Sequence, residues 1–322
     1  DKGLKMRVLT GLQPSGDLHI GNYFGAIAAM IEAQSKQDMF IFIANYHAMT
    51  SSPPNLNENT LKAAAAFLSL GINPEKCTFW LQSDVKEVLE LYWFLSQLTP
   101  MGLLERAHSY KDKLAKGLNA THGLFSYPVL MAADILLFSS ELVPVGKDQV
   151  QHLEIARDLA VKFNEKFGET FILPKAQVSE EVAVVVGTDG AKMSKSYKNT
   201  IDIFSKAKDL KKQISAIITS SEPLQAPKEW RECNVYKIAR LFLDEAGQKA
   251  LQARYEKGGE GHGHFKAYLN ELVENFFAPA REKYENLLKN PKQIEEILEF
   301  GAKKAKKIAG EKMQEIYAKI GL

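Results

Sequence analysis

The sequence predicts an α/β protein in which a doubly wound parallel sheet is followed by an all-helical domain. Over the first ~200 residues, short apolar runs of strand length alternate with amphipathic helical segments, the order that βαβ units produce. Beyond that point only helical periodicity remains. We therefore predict a sheet domain over residues 1–197, a helical domain over 198–290 and a final helix over 291–322.

The predicted strands are mostly apolar runs, which is typical of a sheet covered by helices on both faces. They span residues 6–10, 39–44, 77–81, 143–146 and 183–187. The glycine-rich stretch 11–16 is predicted to be a loop after the first strand. Because such sheets bind ligands at the carboxyl ends of their strands, we expect the site among the loops that follow them.

Apolar residues at helical spacing predict the helices. In the sheet domain, a helix over 57–70 has Asn57 as its expected N-cap and Gly71 as its terminator, and another helix covers 85–97. In the second domain the predicted helices span residues 205–218, 234–243, 246–257, 264–289 and 291–320.

The composition is that of an ordinary globular protein. The chain has 322 residues, 45% of them hydrophobic, and 41 Lys and Arg against 39 Asp and Glu give a net charge of +2. Two cysteines are too few for a disulfide framework or a zinc cluster, and no uncharged apolar run reaches the ~20 residues of a membrane-spanning helix. We expect a cytoplasmic, enzyme-sized protein with no membrane span and no tightly bound metal.

The segment after the first strand has the composition of a phosphate-binding site. Gly11, Gly16 and Gly21 permit tight turns and close approach of a ligand to the backbone. His19 and Asn22 are three residues apart at the start of a helix, so both could face a bound phosphate and donate hydrogen bonds to it. On its own the pattern also fits an ordinary strand-to-helix connection.

A second candidate is the loop over residues 187–196. Its two glycines and small polar residues predict a mobile loop. Lys192 and Lys195 offer two charges on flexible stems to a phosphate chain whose charge changes during reaction. Ser194 and Ser196 add hydroxyl donors. A solvated lysine-rich loop is the alternative interpretation.

Together the two segments resemble the paired signatures of class I aminoacyl-tRNA synthetases. The first signature, usually HIGH, is His-Ile-Gly-Asn at residues 19–22, and the second, KMSKS, is unaltered at residues 192–196. Asparagine at the end of the first signature is similar to the form found in tryptophanyl-tRNA synthetases. The resemblance covers essentially the whole chain and implies a Rossmann-like catalytic domain.

Asp134 is a lone carboxylate within an apolar stretch. A buried unpaired charge is unfavourable, so this residue needs a partner, and an indole N–H, which only donates, suits an acceptor that only accepts. Tyr127, two helical turns earlier, shares its face if Pro128 lies in the first turn, and Met131 and Ile135 would flank the ring. The segment resembles the amino-acid-selecting helix of tryptophanyl-tRNA synthetases. A structural Asp that caps a turn or pairs with Lys or Arg is the alternative.

Polar residues also follow the fourth predicted strand. Asp148 could accept hydrogen bonds from ribose hydroxyls, and Gln149 could bind the ammonium or carboxylate group of a substrate. The alternative is that they are ordinary polar residues at a helix start. The stretch is similar to the family's Gly-x-Asp-Gln segment, although many relatives have Glu where this chain has Lys147.

The resemblance implies a reaction and a set of site residues. A tryptophanyl-tRNA synthetase couples L-tryptophan and ATP, with Mg²⁺, to tryptophanyl-adenylate and pyrophosphate, and then transfers tryptophan to tRNA(Trp). Its implied catalytic residues here are His19, Asn22, Lys192 and Lys195. The implied ATP site comprises Gln13, Pro14, Ser15, Gly21, Asn22, Gly146, Lys147, Asp148, Val184, Lys192, Met193, Ser194, Lys195 and Ser196. The implied tryptophan site comprises Gly11, His47, Tyr127, Met131, Asp134, Ile135, Val145 and Gln149.

The same resemblance implies anticodon recognition by the helical domain, a final helix that packs back on the catalytic domain, and a homodimer.

A tyrosyl-tRNA synthetase is the nearest alternative, because it also needs an Asp, although the first signature and the context of Asp134 favour tryptophan. A non-catalytic paralogue that binds tRNA or tryptophan as a regulator would often lack the lysines or the Asp. A small-molecule adenylyltransferase would not need the helical domain.

A net charge of +2 is low for a protein that coats nucleic acid. Residues 301–322 nevertheless contain six lysines against two glutamates. A second basic cluster beside the KMSKS loop consists of Lys206, Lys208, Lys211 and Lys212. Solvated helix faces are the alternative interpretation of both. We expect localised, salt-sensitive contacts with tRNA.

Overall fold

The computed structural model describes residues 5–15, 17–51, 53–117, 119–178 and 184–322, except for the side chains of Ser109 and Asp148. Its sheet has the strand order β3-β2-β1-β4-β5, and each pairing between neighbours is parallel. The strands are β1 (Arg7–Leu12), β2 (Asp38–Ile43), β3 (Thr78–Leu81), β4 (Leu142–Val145) and β5 (Lys175–Val178). Because the strand order reverses between β1 and β4, the predicted doubly wound α/β architecture is confirmed.

The strand predicted over residues 183–187 is wrong. Residue 183 lies outside the described residues, and in residues 184–187 the only strand-like pairing is an isolated antiparallel bridge between Val186 and Lys192. The fifth strand is β5 instead. Its sequence Lys-Ala-Gln-Val is largely exposed at the sheet edge, so it lacks the apolar run by which a buried strand is recognised.

The helices of the sheet region are α1 (Ile20–Asn22), α2 (Ala28–Ala33), α3 (Asn45–Ala48), α4 (Leu56–Leu70), α5 (Glu87–Ser96), α6 (Met101–Glu105), α7 (His108–Ala115), α8 (His122–Leu137) and α9 (Val150–Phe167). A π-helical turn, Tyr23–Ile27, joins α1 to α2. The helices after the sheet are α10 (Ala207–Ser215), α11 (Asn234–Ala239), α12 (Glu245–Lys257), α13 (His262–Lys289) and α14 (Pro291–Ile320).

Three local expectations are corrected. β1 continues through Leu12, two residues into the predicted loop. Asn57 is not the N-cap of α4, which begins after Asn55, a residue in the left-handed conformation with φ 56°. Pro128 lies in the interior of α8 and not in its first turn, because α8 begins at His122. Gly71 ends α4 as expected, with φ 125°.

Side chains that alternate along the strands build two cores, one on each face of the sheet. Val8, Met39 and Ile41 face a core that includes α4 and continues into α10–α13. Leu9 and Phe40 face a second core that includes α5, α8, α9 and α14. Both faces of the sheet are therefore covered, and its edge at the carboxyl ends is where side chains can meet a ligand.

The last helix, α14, lies directly on β3. A Cβ atom placed on Gly301 would come 1.8 Å from the backbone oxygen of Phe79, so only glycine allows this approach. Ala302, Ala305 and Ala309 continue the small, buried face of α14 into the second core. In the described residues, no helix is long and apolar enough to span a bilayer.

Candidate active site at the carboxyl edge of the sheet

The first signature forms the cap of a helix. His19 precedes α1, and its Nδ1 accepts a hydrogen bond from the Asn22 backbone N–H at 3.3 Å. In return, Asn22 Oδ1 accepts one from the His19 backbone N–H at 3.0 Å. The two side chains thus hold each other in a reciprocal capping box.

His19 is buried, which lowers the pKa of its imidazole below the usual value of 6.5. The carboxylate of Asp202 opposes that shift, and the ammonium group of Lys195 adds to it. The ring is therefore neutral near pH 7. Because Nδ1 accepts a backbone N–H, the ring proton lies on Nε2, and this N–H is the donor that His19 can offer to a ligand.

The chain that follows the KMSKS loop is hydrogen-bonded to the first signature. Ile20 N–H donates to the oxygen of Ile201 at 3.0 Å, and Ile203 N–H donates to the oxygen of Leu18 at 2.9 Å. Backbone groups therefore fix the position of one signature relative to the other.

Side chains of the two signatures also meet. A Cβ on Gly21 would lie 2.9 Å from His19 Nδ1 and 3.4 Å from Met193 Cβ, so glycine lets the KMSKS loop pack on the start of α1. Lys195 Nζ is 4.0 Å from Asp17 Oδ2, just before the first signature. Both signature lysines are exposed, and Met193 is buried.

Asn199, 2% exposed, is the centre of the KMSKS loop. Its Oδ1 accepts from Ser194 N–H at 2.8 Å, and its Nδ2 donates to Asp189 Oδ1 at 2.7 Å and to the Lys192 oxygen at 3.0 Å. The bond from Asn199 lowers the pKa of Asp189. A Cβ on Gly187 would come 2.2 Å from Asn199 Nδ2. A buried amide therefore braces this loop, and its mobility stays a prediction.

Asp134 lies in α8 and is 3% exposed. His47 Nε2 lies 2.7 Å from its Oδ2. Gln82 Nε2 donates to both carboxylate oxygens, at 3.0 Å to Oδ1 and 2.9 Å to Oδ2. The carboxylate is therefore buried with partners, but these are neutral or titratable donors and not the Lys or Arg of the structural alternative.

The ends of β2 and β3 are joined around this carboxylate. Gln82 Oε1 accepts from the backbone N–H of Tyr46 at 3.0 Å and of His47 at 3.4 Å. Asn45 and Ser83 exchange two further hydrogen bonds, from Asn45 Nδ2 to Ser83 Oγ at 2.8 Å and from Ser83 N–H to Asn45 Oδ1 at 3.1 Å. Two strand ends and α8 thus form one polar unit.

Aromatic and amide groups adjoin Asp134. The Tyr127 ring meets the His47 ring edge to face, with centroids 5.5 Å apart. Tyr127 Oη and Gln149 Oε1 lie 3.1 Å and 2.8 Å from His152 Nδ1. Lys113 Nζ is 4.3 Å from the centre of the Tyr127 ring, and burial lowers the pKa of this lysine.

The remaining predicted residues leave the sheet at the same edge, because β1 and β4 are parallel neighbours. Gly11, Gln13, Pro14 and Ser15 belong to the end of β1 and its loop, and Val145, Gly146 and Lys147 to the end of β4. Met131 is half-buried, Ile135 is buried in the second core, and Val184 is exposed. The side chain of Asp148 lies outside the described residues.

Sequence reasoning missed Gln82, Asn199 and His152. Gln82 follows a predicted strand, so its place at the carboxyl end was a usable signal. His152 lies within the polar segment after the fourth predicted strand and is brought to Tyr127 by α9. Asn199 has no comparable signal, because its role depends on the shape of a loop.

The described residues hold no group of three His, Cys, Asp or Glu side chains arranged to bind a metal ion. A divalent cation bound by phosphate oxygens alone needs no such group.

Comparison with known proteins gives consistent matches. The model of the family described as tRNA synthetases class I (W and Y) matches residues 2–278. Tryptophan–tRNA ligase of Campylobacter jejuni (strain RM1221) is 73% identical over 319 residues, 98% of this chain and 100% of that protein. The enzyme of the same name from Rhodopirellula baltica is 49% identical, over 94% of this chain and 96% of that protein. The crystal structure of tryptophanyl-tRNA synthetase from C. jejuni with ADP and tryptophan matches with a TM-score of 0.97 and 73% identity, covering 98% of this chain and 100% of that one.

Proposed function

Because this chain belongs to the class I tRNA synthetases for tryptophan and tyrosine, and is a ligase that activates tryptophan and charges tRNA with it, we propose that both steps occur at the carboxyl edge of its sheet. The observation that carries the proposal is Asp134, a buried carboxylate whose oxygens lie within hydrogen-bond distance of the side-chain nitrogens of His47 and Gln82. It lies at the same sheet edge as the two signatures, so an amino acid and ATP can bind side by side.

The indole of tryptophan binds with its N–H donating to Asp134. Tyr127 and Met131 flank the ring, and Gln149 binds the ammonium or carboxylate group. A substrate without the N–H would leave the acceptor position that faces the indole unfilled on a desolvated carboxylate, and sites of this design reject such analogues by roughly 10⁴–10⁵.

In the first step, an oxygen of the tryptophan carboxylate attacks the α-phosphorus of ATP. The bond from that phosphorus to the oxygen bridging to the β-phosphate breaks, and its electron pair leaves with pyrophosphate. The Nε2–H of His19 donates to the phosphates, and Lys192 and Lys195 neutralise the leaving group. Mg²⁺ would arrive bound to ATP and would neutralise part of the phosphate charge.

In the second step, a ribose hydroxyl at the 3′ end of tRNA(Trp) attacks the acyl carbon of the adenylate. The bond from that carbon to the phosphate oxygen breaks, AMP leaves, and the hydroxyl proton is released. Exposed lysines provide local contacts for tRNA: Lys206, Lys208, Lys211 and Lys212 at α10, and Lys303, Lys304, Lys306 and Lys307 on α14. The helical domain, residues 198–290, recognises the anticodon.

The enzyme acts as a cytoplasmic homodimer. Leu89 and Trp93, one helical turn apart on α5, are exposed, as is Met101 at the start of α6. An exposed face of large apolar side chains is typical of a surface that another chain covers. A second copy of this chain is the occupant we propose, because the resemblance to tryptophanyl-tRNA synthetases implies a homodimer.

Pyrophosphate exchange into ATP, measured with each of the twenty amino acids, tests the proposal. We expect exchange with tryptophan and none with the others. Exchange with tyrosine in place of tryptophan would show a tyrosyl-tRNA synthetase. An absence of exchange with every amino acid would favour the non-catalytic paralogue.

A further inference from the structure

Gln82 is a buried glutamine, 2% exposed, whose amide is bonded at both ends. Its oxygen accepts from the backbone N–H groups of Tyr46, at 3.0 Å, and His47, at 3.4 Å. Its nitrogen donates to both oxygens of Asp134, at 3.0 Å and 2.9 Å. Because backbone N–H groups only donate, the amide has one orientation, and its NH₂ must face the carboxylate.

This arrangement fixes both the direction and the chemistry of Asp134. A donor shared between both oxygens holds the plane of the carboxylate, while His47 Nε2, 2.7 Å away, engages Oδ2 a second time. Oδ1 therefore receives fewer donors from these two residues than Oδ2 does. The remaining acceptor capacity suits a group that donates one hydrogen bond and accepts none.

We propose that Gln82 is a positioning residue that holds Asp134 as an acceptor for the indole N–H, and thereby determines how strongly the enzyme selects that N–H. The proposal rests on the role of Asp134 given above. Gln82 acts through the carboxylate, so its removal should affect recognition of the N–H group specifically and not tryptophan-sized rings in general.

Gln82→Met tests this, because methionine has a similar shape and offers neither the donor nor the acceptor. The readout is pyrophosphate exchange with tryptophan and with its benzothiophene analogue, in which sulfur replaces the indole N–H. We expect kcat/KM for tryptophan to fall about 10- to 100-fold, the range for lost hydrogen bonds to a charged group. Since the analogue donates nothing to Asp134, its kcat/KM should change much less, and the preference for tryptophan should shrink.

Gln34→Met is the matched control. Gln34 is also buried and also joins two segments, with Nε2 donating to the Gly71 oxygen at 2.8 Å and Oε1 accepting from Asn73 N–H at 2.9 Å. It lies away from Asp134, so this variant should keep the wild-type preference. Equal losses for tryptophan and the analogue in Gln82→Met would show a merely structural role and overturn the proposal.

Gln82→Glu keeps the shape of the side chain and covers the case in which Gln82→Met does not fold. A second carboxyl group beside Asp134 cannot ionise at low cost, so the pair shares a proton until the pH is high. We expect kcat/KM for tryptophan to fall with rising pH in this variant relative to wild type, as the shared proton is lost. A pH profile parallel to that of wild type would contradict the proposal.

Asp134→Asn and the Gln82 variants separate the role of Asp134 from that of Gln82. If Asp134→Asn leaves the preference for tryptophan over the analogue unchanged, the proposed role of Asp134 is wrong. If Asp134→Asn removes that preference and both Gln82 variants retain it, Asp134 stands and the proposal for Gln82 is wrong.

Discussion

Asp134 is buried in an apolar helix, and its carboxylate lies within hydrogen-bond distance of two side chains. His47 and Gln82 approach it from the ends of two neighbouring strands. A buried carboxylate that is paired with His47 and Gln82, and not with Lys or Arg, is costly to build for stability alone. Such a group is more readily explained by a ligand that it must recognise.

Asp134→Asn should lower kcat/KM for tryptophan by about 10- to 100-fold, the range expected for a lost bond to a charged acceptor. The amide can present its NH₂ to the indole N–H, and it also faces the NH₂ of Gln82. Pyrophosphate exchange at varied tryptophan concentration measures the effect. Asp158→Asn, an exposed change on α9, is the control. Wild-type kcat/KM in Asp134→Asn would remove this residue from the selecting role.

His19 makes the stability of the fold depend on pH. Burial lowers the pKa of its imidazole in the folded state, so the unfolded chain binds a proton more readily than the folded one. The stabilisation is therefore complete above the usual value of 6.5 and is lost as the pH falls below it toward the folded-state value. His19→Asn keeps an N-cap acceptor without a titrating group.

Urea denaturation at several pH values measures this dependence. The range from about pH 7 to about pH 5 includes the reference pKa of histidine. Over this range, the free energy of unfolding should fall more in wild type than in His19→Asn. Parallel curves would show that His19 titrates alike in both states.

Among the structural elements, the KMSKS loop is held in shape by hydrogen bonds to the side chain of Asn199. This side chain makes three hydrogen bonds: to Asp189, to the backbone oxygen of Lys192, and to the backbone N–H of Ser194 between the two lysines. The side chains of Lys192 and Lys195 are exposed, so the loop backbone that Asn199 holds determines where they begin.

Asn199→Ala should slow adenylate formation in single turnovers by about 10-fold or more, because misplaced charges stabilise the departing pyrophosphate less well. Binding of tryptophan, measured by equilibrium dialysis, should remain unchanged. In a Lys195→Ala background the same substitution should cost much less, since it acts through the lysines.

Asn164→Ala provides a matched control. Asn164 also makes three side-chain bonds to a loop, accepting from the N–H groups of Thr170 and Phe171 and donating to the Phe171 oxygen. This loop joins α9 to β5, so the variant should alter stability and leave adenylate formation as in wild type. Equal effects of the two substitutions on the rate would contradict the positioning role.

Some of the strands and helices could be predicted from sequence patterns, and others could not. The apolar runs of β2 and β3 and the periodicity of α12, α13 and α14 predicted those elements closely, because burial dictates their composition. The exposed strand β5 gave no such signal. Within the site, Asp134, His47, Tyr127 and Gln149 were predicted and are brought together. Gln82 and Asn199 were not, because their importance comes from bonds between segments that are distant or folded back.

At the scale of the whole molecule, an exposed apolar face on α5 and α6 remains after both sheet faces are covered. Trp93 is 62% exposed, and a tryptophan packed inside its own chain would be largely buried.

Trp93→Glu should convert a dimer to a monomer, because a charge on this face opposes burial against a second copy. Light scattering coupled to size-exclusion chromatography measures the mass at micromolar concentration. Phe300→Glu, on an equally exposed aromatic of α14, should leave the mass unchanged. A monomeric wild-type protein would refute the homodimer.

The contact of α14 with β3 has a consequence for how the chain folds. β3 consists of residues 78–81 and is followed directly by Gln82, whereas the glycine at which α14 packs on it is residue 301. During translation, the part of α14 that covers β3 is therefore synthesised more than two hundred residues after the strand itself. Contacts of such long sequence separation form slowly and leave apolar surface open meanwhile. The proposed amino-acid pocket, which depends on the end of β3, should therefore form late, after most of the helical region has been synthesised.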